Sequence, residues 1–232
     1  MLNARRRFGD SRLASFHLLG KHWALSMDNA AFATSWQRAW AALGVRRADE
    51  ALYRELLARY QEPHRHYHSL RHLAECLRHF ESVYELADRP GEVELALWFH
   101  DAVYQARRSD NEQRSADWAR QALVAAGVEP AVAVRVYALV MATRHETLPA
   151  TPDQRLLVDI DLAILGAPPA RFAEYQRQVR AEYRWVPGPI YRRRRREILR
   201  QFLERQPLYA TAYFQERLEA QARRNLAGAL NE

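Results

Sequence analysis

Apolar side chains recur every three or four residues along most of the chain, the spacing of one buried face of an α-helix. Proline or a capping residue precedes many of these stripes, and glycine or proline follows several of them. No strand-like alternation and no hairpin turn interrupts the pattern. We therefore predict an all-α fold, a bundle of about nine or ten helices, over residues 30–43, 51–60, 68–87, 92–105, 110–127, 131–145, 152–165, 169–184, 189–205 and 208–228.

The first part of the chain lacks this regular pattern. It carries three consecutive arginines, Arg5 to Arg7, and an apolar stretch at 16–23 that is too short and too interrupted for a secretory signal. We predict a poorly ordered extension at 1–26 and one domain at 27–232. A short amphipathic helix at 16–23 that docks on the domain is the alternative.

Composition narrows the class of protein. Hydrophobic residues make up 48% of the 232 residues, enough for a full core and too many for a disordered chain. No stretch approaches the roughly 18 apolar residues of a spanning helix, so we expect no membrane partner. The single cysteine, Cys76, excludes an intrachain disulfide and fits a reducing, cytoplasmic compartment.

The charge is positive and borne by arginine. Lys21 is the only lysine among 35 basic residues, which face 28 acidic ones for a net charge of +7. A run of five arginines, Arg192–Arg196, suggests nucleic-acid binding through phosphate groups. A solvated helix, salt-bridged to Glu197 or Glu182, is the favoured interpretation, because the run lacks a base-reading motif.

Five of the nine histidines fall within sixteen residues, and two of them have a suggestive spacing. His68 and His72 lie four apart, so in a helix they share one face with about 5–6 Å between their Cβ atoms. That spacing suits two imidazoles on one metal ion, or one on a metal and one on a substrate. A chance coincidence in a histidine-rich helix remains the alternative.

Acidic side chains interrupt two apolar segments further along. His100 and Asp101 follow the run Leu95–Phe99, where an unpaired buried carboxylate would be costly. Asp159 and Asp161 lie inside Leu157–Leu165 and are two residues apart, so only one of them is expected at a given site. We expect Asp159 to be a surface or capping residue.

The order His, His-Asp, Asp on separate helices resembles the HD-domain metal-dependent phosphohydrolases. It is most similar to a bacterial subgroup that shares a Tyr-x-Glu-Pro-x-Arg-x-Tyr-His element, a Phe-His-Asp helix, Asp-Asn-Glu and a late Asp-Leu-Asp-Leu-like segment. These read here Tyr60–His68, Phe99–Asp101, Asp110–Glu112 and Asp159–Leu162. The resemblance covers about residues 30–225. It implies that the metal ligands are His72, His100, Asp101 and Asp161.

The Tyr-His-x-x-x-His element is also similar to the opening motif of the cyclic-nucleotide phosphodiesterases. That likeness implies that His68 is the general acid and His72 a ligand. Asp101 then has a catalytic part as well, because it can bridge to a second ion. The purine-binding glutamine of those enzymes has no recognisable counterpart, so cyclic nucleotides are not implied as substrates.

Three further residues are candidates for substrate binding. Arg65 can clamp a phosphate, or it can pair with Glu62 at the surface. Glu112 can hold water or a second ion, or act with Asp110 as a helix cap. His145 can contact substrate or a second ion, or be a cation at a helix C-terminus.

The predicted function is hydrolysis of a small, nucleotide-like phosphate ester by water that a metal ion activates. A mixed nitrogen and oxygen donor set suits Mn²⁺, Mg²⁺, Co²⁺, Fe²⁺, Zn²⁺ or Ni²⁺, in one or two sites. The alternative is a non-catalytic regulatory or nucleic-acid-binding module with an HD core, which uses Arg192–Arg196. An HD-like di-iron oxygenase ranks lower. The sequence leaves homo-oligomerisation open and does not favour a nucleic-acid partner.

Overall fold

The computed structural model describes residues 30–231, which form ten helices and no strand, so the predicted all-α fold is confirmed. The predicted extension at 1–26 lies outside the described residues. Short 3₁₀ turns follow two of the helices, at Tyr84–Leu86 and Leu162–Gly166. The helices are α1 (30–42), α2 (Glu50–Tyr60), α3 (Leu70–Ser82), α4 (Pro90–Phe99), α5 (Asn111–Ala125), α6 (Pro130–Ala142), α7 (Pro152–Asp161), α8 (Pro169–Glu182), α9 (Gly188–Glu204) and α10, which begins as Ala212–Phe214, passes through a π-helical turn at Gln215–Glu219 and continues as Ala220–Asn231.

Helix α4 lies at the centre of the bundle. It packs against α3, α5, α6 and α7, and every residue from Gly91 to Phe99 is buried. This enclosure explains why its sequence is apolar on all sides instead of amphipathic. None of the helices within residues 30–231 combines the length and apolar character needed to cross a bilayer.

Two carboxylates are buried in α4, and each has a cationic partner. Glu94 accepts hydrogen bonds from Ser35 and from Arg38, and Glu92 forms a two-pronged pair with Arg135. Both partners reach the helix from neighbouring segments. These acids are therefore structural, because their charge is fully compensated without a ligand.

Helix α4 ends six residues earlier than the apolar pattern predicts. His100 is the residue that follows its last turn, and Asp101 lies in the loop beyond. The guanidinium of Arg65 donates hydrogen bonds to the carbonyl oxygens of Asp101 and Ala102. In a longer helix these oxygens would accept from backbone N–H groups instead. Ser115 Oγ accepts the Val103 N–H in the same loop. Side chains therefore satisfy the backbone where the helix stops.

Other helix ends also differ from the prediction. Helix α3 begins at Leu70, so His68 precedes it and does not share a helix face with His72. Helix α6 ends at Ala142, and His145 lies three residues beyond in a left-handed conformation, with φ of 56°. The side chain of Asp110 accepts no hydrogen bond from α5, because its carboxylate pairs with Arg108 instead.

Candidate metal centre

Four side chains from three helices meet at one point of the core. His72 lies in the first turn of α3, His100 and Asp101 follow the last turn of α4, and Asp161 ends α7. His72 and His100 are 2% and 1% exposed. The structure therefore brings together all four residues that the resemblance implies as ligands.

The donor atoms of these four residues face one another. The Nε2 atoms of His72 and His100 are 3.1 Å apart. Asp101 Oδ2 lies 3.1 Å from His100 Nε2 and 3.5 Å from His72 Nε2, and Asp161 Oδ1 lies 3.8 Å and 3.2 Å from the same two nitrogens. Separations of this size fit donors around one divalent ion bound at about 2.0–2.2 Å.

A backbone acceptor fixes the orientation of the His100 ring. Its Nδ1 lies 2.7 Å from the carbonyl oxygen of Leu97, which can only accept a hydrogen bond, so Nδ1 carries a proton. Burial opposes charge on the ring, but Asp101 and Asp161 outweigh it and raise the pKa of His100 to about 9, so Nε2 has to release its own proton to bind an ion. A backbone acceptor that fixes the tautomer in this way is common behind a metal-binding histidine.

The centre attracts positive charge. Burial opposes ionisation of Asp101, but His100 and His68 outweigh it and hold the pKa of this carboxyl well below its usual range. For Asp161 burial is likewise outweighed, by hydrogen bonds from His145 and His72, and its pKa is lowered. Two ionised carboxylates therefore face two imidazole nitrogens, an arrangement that a cation would stabilise.

Cys76 offers a second way to complete the centre. It follows His72 by one turn of α3, and its Sγ lies 3.7 Å from both ring nitrogens of that histidine. Together with His100 and Asp161 these two residues form a buried group whose donor atoms all lie within 4.8 Å of one another, so the group can hold a metal ion. Burial raises the pKa of the Cys76 thiol.

His68 lies beside the centre and is held by Glu182. Its Nδ1 lies 2.8 Å from Glu182 Oε2, and its ring stacks on Tyr104 with 4.0 Å between centroids. Glu182 Oε1 accepts the backbone N–H groups of His66, Tyr67 and His68 itself. One buried carboxylate therefore fixes both the loop and the ring. Burial opposes charge on His68, but Glu182 and Asp101 outweigh it and raise its pKa.

Arg65 pairs with Glu62, as one of its two interpretations predicts, but it is buried and does not lie at the surface. Its Nε donates to Glu62, and its two Nη atoms donate to the carbonyl oxygens of His68, Asp101 and Ala102. This guanidinium lies across the backbone of both loops that carry site residues. It leaves no pair of N–H groups for a phosphate, so Arg65 positions the site and does not clamp a substrate.

A cavity of about 380 Å³ opens beside the centre. His68, Asp101 and Asp161 line it together with Glu112 and His145, so the predicted substrate-binding residues other than Arg65 all reach it. His145 Nε2 lies 3.0 Å from Asp161 Oδ2. Burial raises the pKa of Glu112, which faces the same space. His145 is therefore bonded to the carboxylate of Asp161, beyond the end of α6.

Two buried polar atoms on residues of this cavity lack a partner. Among the described residues nothing bonds to the hydroxyl of Tyr67 or to Nδ1 of His145. Buried polar groups without partners are rare in folded proteins and call for an explanation.

Asp159 is structural, but it is not the surface residue we expected. It is 1% exposed and accepts hydrogen bonds from the backbone of Ala210 and Thr211 and from the hydroxyl of Thr211. It therefore anchors the turn that leads into α10. Asp161, two residues on, points to the opposite side and joins the centre, as the resemblance implies.

The role of Glu182 was not predicted, since Glu182 was considered only as a partner for the arginine run. A signal was present, because Phe172, Tyr175 and Val179 precede Glu182 at helical spacing on the buried stripe of α8. A carboxylate on an apolar stripe requires a partner in the interior. That partner is the loop that carries His68.

Searches with protein-family models, among curated proteins and among solved structures find no match to this chain.

Proposed function

We propose that this protein is a metal-dependent phosphohydrolase that cleaves a small phosphate ester. The observation that carries the proposal is the meeting of two imidazole nitrogens and two carboxylates, 3.1–3.8 Å apart, at the wall of a cavity. A histidine held by a buried carboxylate lines the same cavity. Together these groups match what phosphoester hydrolysis needs.

In this proposal His72, His100, Asp101 and Asp161 hold the ion. Two nitrogen and two oxygen donors suit a divalent ion such as Mn²⁺, Fe²⁺, Co²⁺, Zn²⁺, Ni²⁺ or Mg²⁺. When bound, such an ion lowers the pKa of a coordinated water and polarises a phosphoryl oxygen. Asp101 is preferred to Cys76 as the fourth ligand, because its carboxylate lines the cavity and the thiol does not.

His68 is the proposed general acid. Glu182 holds its Nδ1, and among the described residues its Nε2 has no hydrogen-bond partner. The pair of neighbouring carboxylates favours the doubly protonated ring, which carries a proton on Nε2. As water adds to phosphorus and the ester P–O bond breaks, His68 gives this proton to the leaving oxygen. Glu182 balances the charge of the imidazolium before that transfer.

The remaining residues act on the substrate or on water. His145, bonded to Asp161, lines the cavity and can contact the substrate there. Glu112 lines the same cavity, where it can accept a hydrogen bond from water. Arg65 keeps the loops of His68 and Asp101 in register.

The test combines metal analysis with a panel of phosphomonoesters and phosphodiesters. The native protein should bind a divalent ion and hydrolyse at least one substrate class. Asp101→Asn should lower the rate by roughly 100-fold or more, since even groups behind the ligands contribute 10–100-fold. Asp117→Asn, which changes an equivalent charge on the outer face of α5, should have no effect. A protein that binds no divalent ion under any condition would contradict the proposal.

No observation favours the alternative of a nucleic-acid-binding module. The arginine run does not form one uncompensated face, because Arg193 and Arg194 pair with Glu197 and Arg195 turns toward the cavity. A salt-dependent complex with RNA or DNA that survives Asp101→Asn and is lost when the exposed arginines are neutralised would favour that alternative.

A further inference from the structure

Arg195 differs from the other four arginines of its run. Arg192, Arg193, Arg194 and Arg196 are exposed on α9, whereas Arg195 is half-buried. It lines the same cavity as Asp101 and Asp161. Arg194 borders the same cavity, but it is exposed and pairs with Glu197, so Arg195 is the half-buried cation that the run brings to the candidate site.

The guanidinium of Arg195 has no counter-charge among the described residues. No carboxylate lies within 4.0 Å of it, and both its Nε and Nη2 donate to the neutral amide oxygen of Gln176. Its Cζ lies 4.9 Å from the centroid of the Tyr175 ring. A partly desolvated cation with only neutral partners is costly to maintain. An anion in the cavity would offset that cost.

A short path of aromatic contacts joins Arg195 to the metal centre. The Tyr175 ring that faces the guanidinium also contacts the ring of Tyr67, at 4.5 Å. Tyr67 in turn lies 4.7 Å from the ring of His72. Arg195 and the centre's Asp101 and Asp161 border one cavity, so one small molecule can reach the two charged regions at once.

Part of the cavity wall is polar, with Thr143, Arg144, Tyr183 and Tyr191, and part of it is apolar. The apolar part includes Leu162, Ile164, Val179 and Phe202. These side chains offer no polar group to a ligand, and they favour a spacer with little charge of its own.

We propose that Arg195 binds a second phosphate group of the substrate. The substrate class is then a bisphosphate: a phosphate ester at the metal centre, a largely uncharged spacer along the apolar part of the wall, and a second phosphate at Arg195. This inference rests on the proposed function for the identity of the first group. It assigns Arg195 a role in substrate selection and none in bond cleavage.

The experiment uses the metal-loaded full chain and a series of alkane bisphosphonates with spacers of two to six carbons. These probes carry two phosphate-like groups and cannot be hydrolysed, and alkyl monophosphonates of equal length are the reference. By calorimetry we expect one spacer length to bind roughly 10-fold or more tightly than its monophosphonate, the gain typical of a charge-assisted contact. Equal affinity at every length would overturn the proposal.

Variants assign the gain to one side chain. Arg195→Gln should abolish the preference for the bisphosphonate. Arg193→Gln removes the same charge from the same run at an exposed position and should keep it. Equal losses in both variants would mean a general field effect and would overturn the proposal. Gln176→Glu tests the same point without removing Arg195, because it places a counter-charge at the present acceptor, and it should also abolish the preference.

The two proposals fail in different ways. Bisphosphonate binding that depends on Arg195, without hydrolysis of any phosphoester, would reject the proposed function and retain the second phosphate site. Hydrolysis of phosphoesters at rates that do not depend on a second phosphate or on Arg195 would reject only this inference.

Discussion

Glu182 is the residue on which the geometry of His68 depends. Its Oε1 accepts three consecutive backbone N–H groups, and its Oε2 accepts from the His68 ring and from the hydroxyl of Tyr104. A carboxylate with this many donors is held in its ionised form. Burial opposes that form, but the charge and hydrogen bond of His68 and the backbone donors outweigh it and lower the pKa of Glu182 to about 2.

Because the pKa of Glu182 is lowered, the stability of the fold depends on pH. Because the folded pKa lies below the value of the free side chain, Glu182 stabilises the fold above about pH 4.5, and the contribution is lost as the pH falls toward 2. The loss amounts to at most about 3 kcal/mol. Glu182→Gln keeps an acceptor oxygen for the loop but cannot titrate. In urea unfolding across this pH range, we expect the free energy of unfolding to fall less steeply for the variant, and parallel curves would refute the assignment.

At this scale the sequence shows which residues are chemically notable but not which of them are partners. The charge of Glu182 on an apolar stripe is visible in the sequence, whereas its bond to a loop 114 residues away is not. The choice between Asp159 and Asp161 is similar. Helical periodicity predicts that the two side chains point to different sides of α7. Only the packing of α7 in the structure shows that Asp161 is the one that faces the centre.

At the scale of elements, Arg65 determines where α4 ends and how the two site loops fit together. Its side chain is fully enclosed, and it bonds to the backbone of residues before α3 and after α4. Apolar periodicity predicts the body of α4 well, since burial on all sides follows from its composition. It cannot predict the end, because the carbonyl acceptors are taken by a side chain 36 residues earlier.

Replacing Arg65 should therefore reduce both stability and metal binding. Arg65→Met removes a buried cation together with three carbonyl contacts, and we expect the free energy of unfolding to fall by about 3–5 kcal/mol, as when a buried ion pair loses one partner. Metal affinity should also fall, because Asp101 loses the bond that fixes its backbone. Urea unfolding and metal titration measure the two effects.

Arg54→Met is the matched control for this change. Arg54 pairs with Glu50 on the exposed side of α2, and exposed pairs contribute about 0–1 kcal/mol. If Arg65→Met changed only the KM for a phosphate ester and left stability intact, the positioning role would be wrong and the original phosphate-clamp hypothesis would be restored.

At the scale of the whole molecule, the charge and the core have separate origins. The net charge of +7 is carried mostly by arginines that lie on solvated helix faces, many of them paired with nearby carboxylates. The arrangement of the core follows from the apolar stripes, which the sequence shows directly. The sequence does not show that polar residues of α3, α4 and α7 meet at one point. Their meeting depends on how the apolar faces of these helices pack against one another.

That convergence ties metal binding to the stability of the whole fold. The proposed ligands come from α3, the end of α4 and the end of α7, and these are in place together only in the folded state. An ion that binds the folded state alone raises the free energy of unfolding by about 2.7 kcal/mol at 100 times its Kd. We expect the Tm to rise with added Mn²⁺ in the native protein and to stay constant in His72→Ala.

Cys76→Ser distinguishes the two donor sets in the same measurement. If Asp101 is the fourth ligand, this variant should show the same rise in Tm with Mn²⁺ as the native protein, and Asp101→Asn should not. Hydrogen exchange should slow at the start of α3 and at the ends of α4 and α7 when the ion binds, while the outer face of α5 stays unchanged. If the rise in Tm with Mn²⁺ were lost in Cys76→Ser and kept in Asp101→Asn, the ion would lie near the thiol and away from the cavity. The water needed for phosphoester hydrolysis would then have no place beside the substrate.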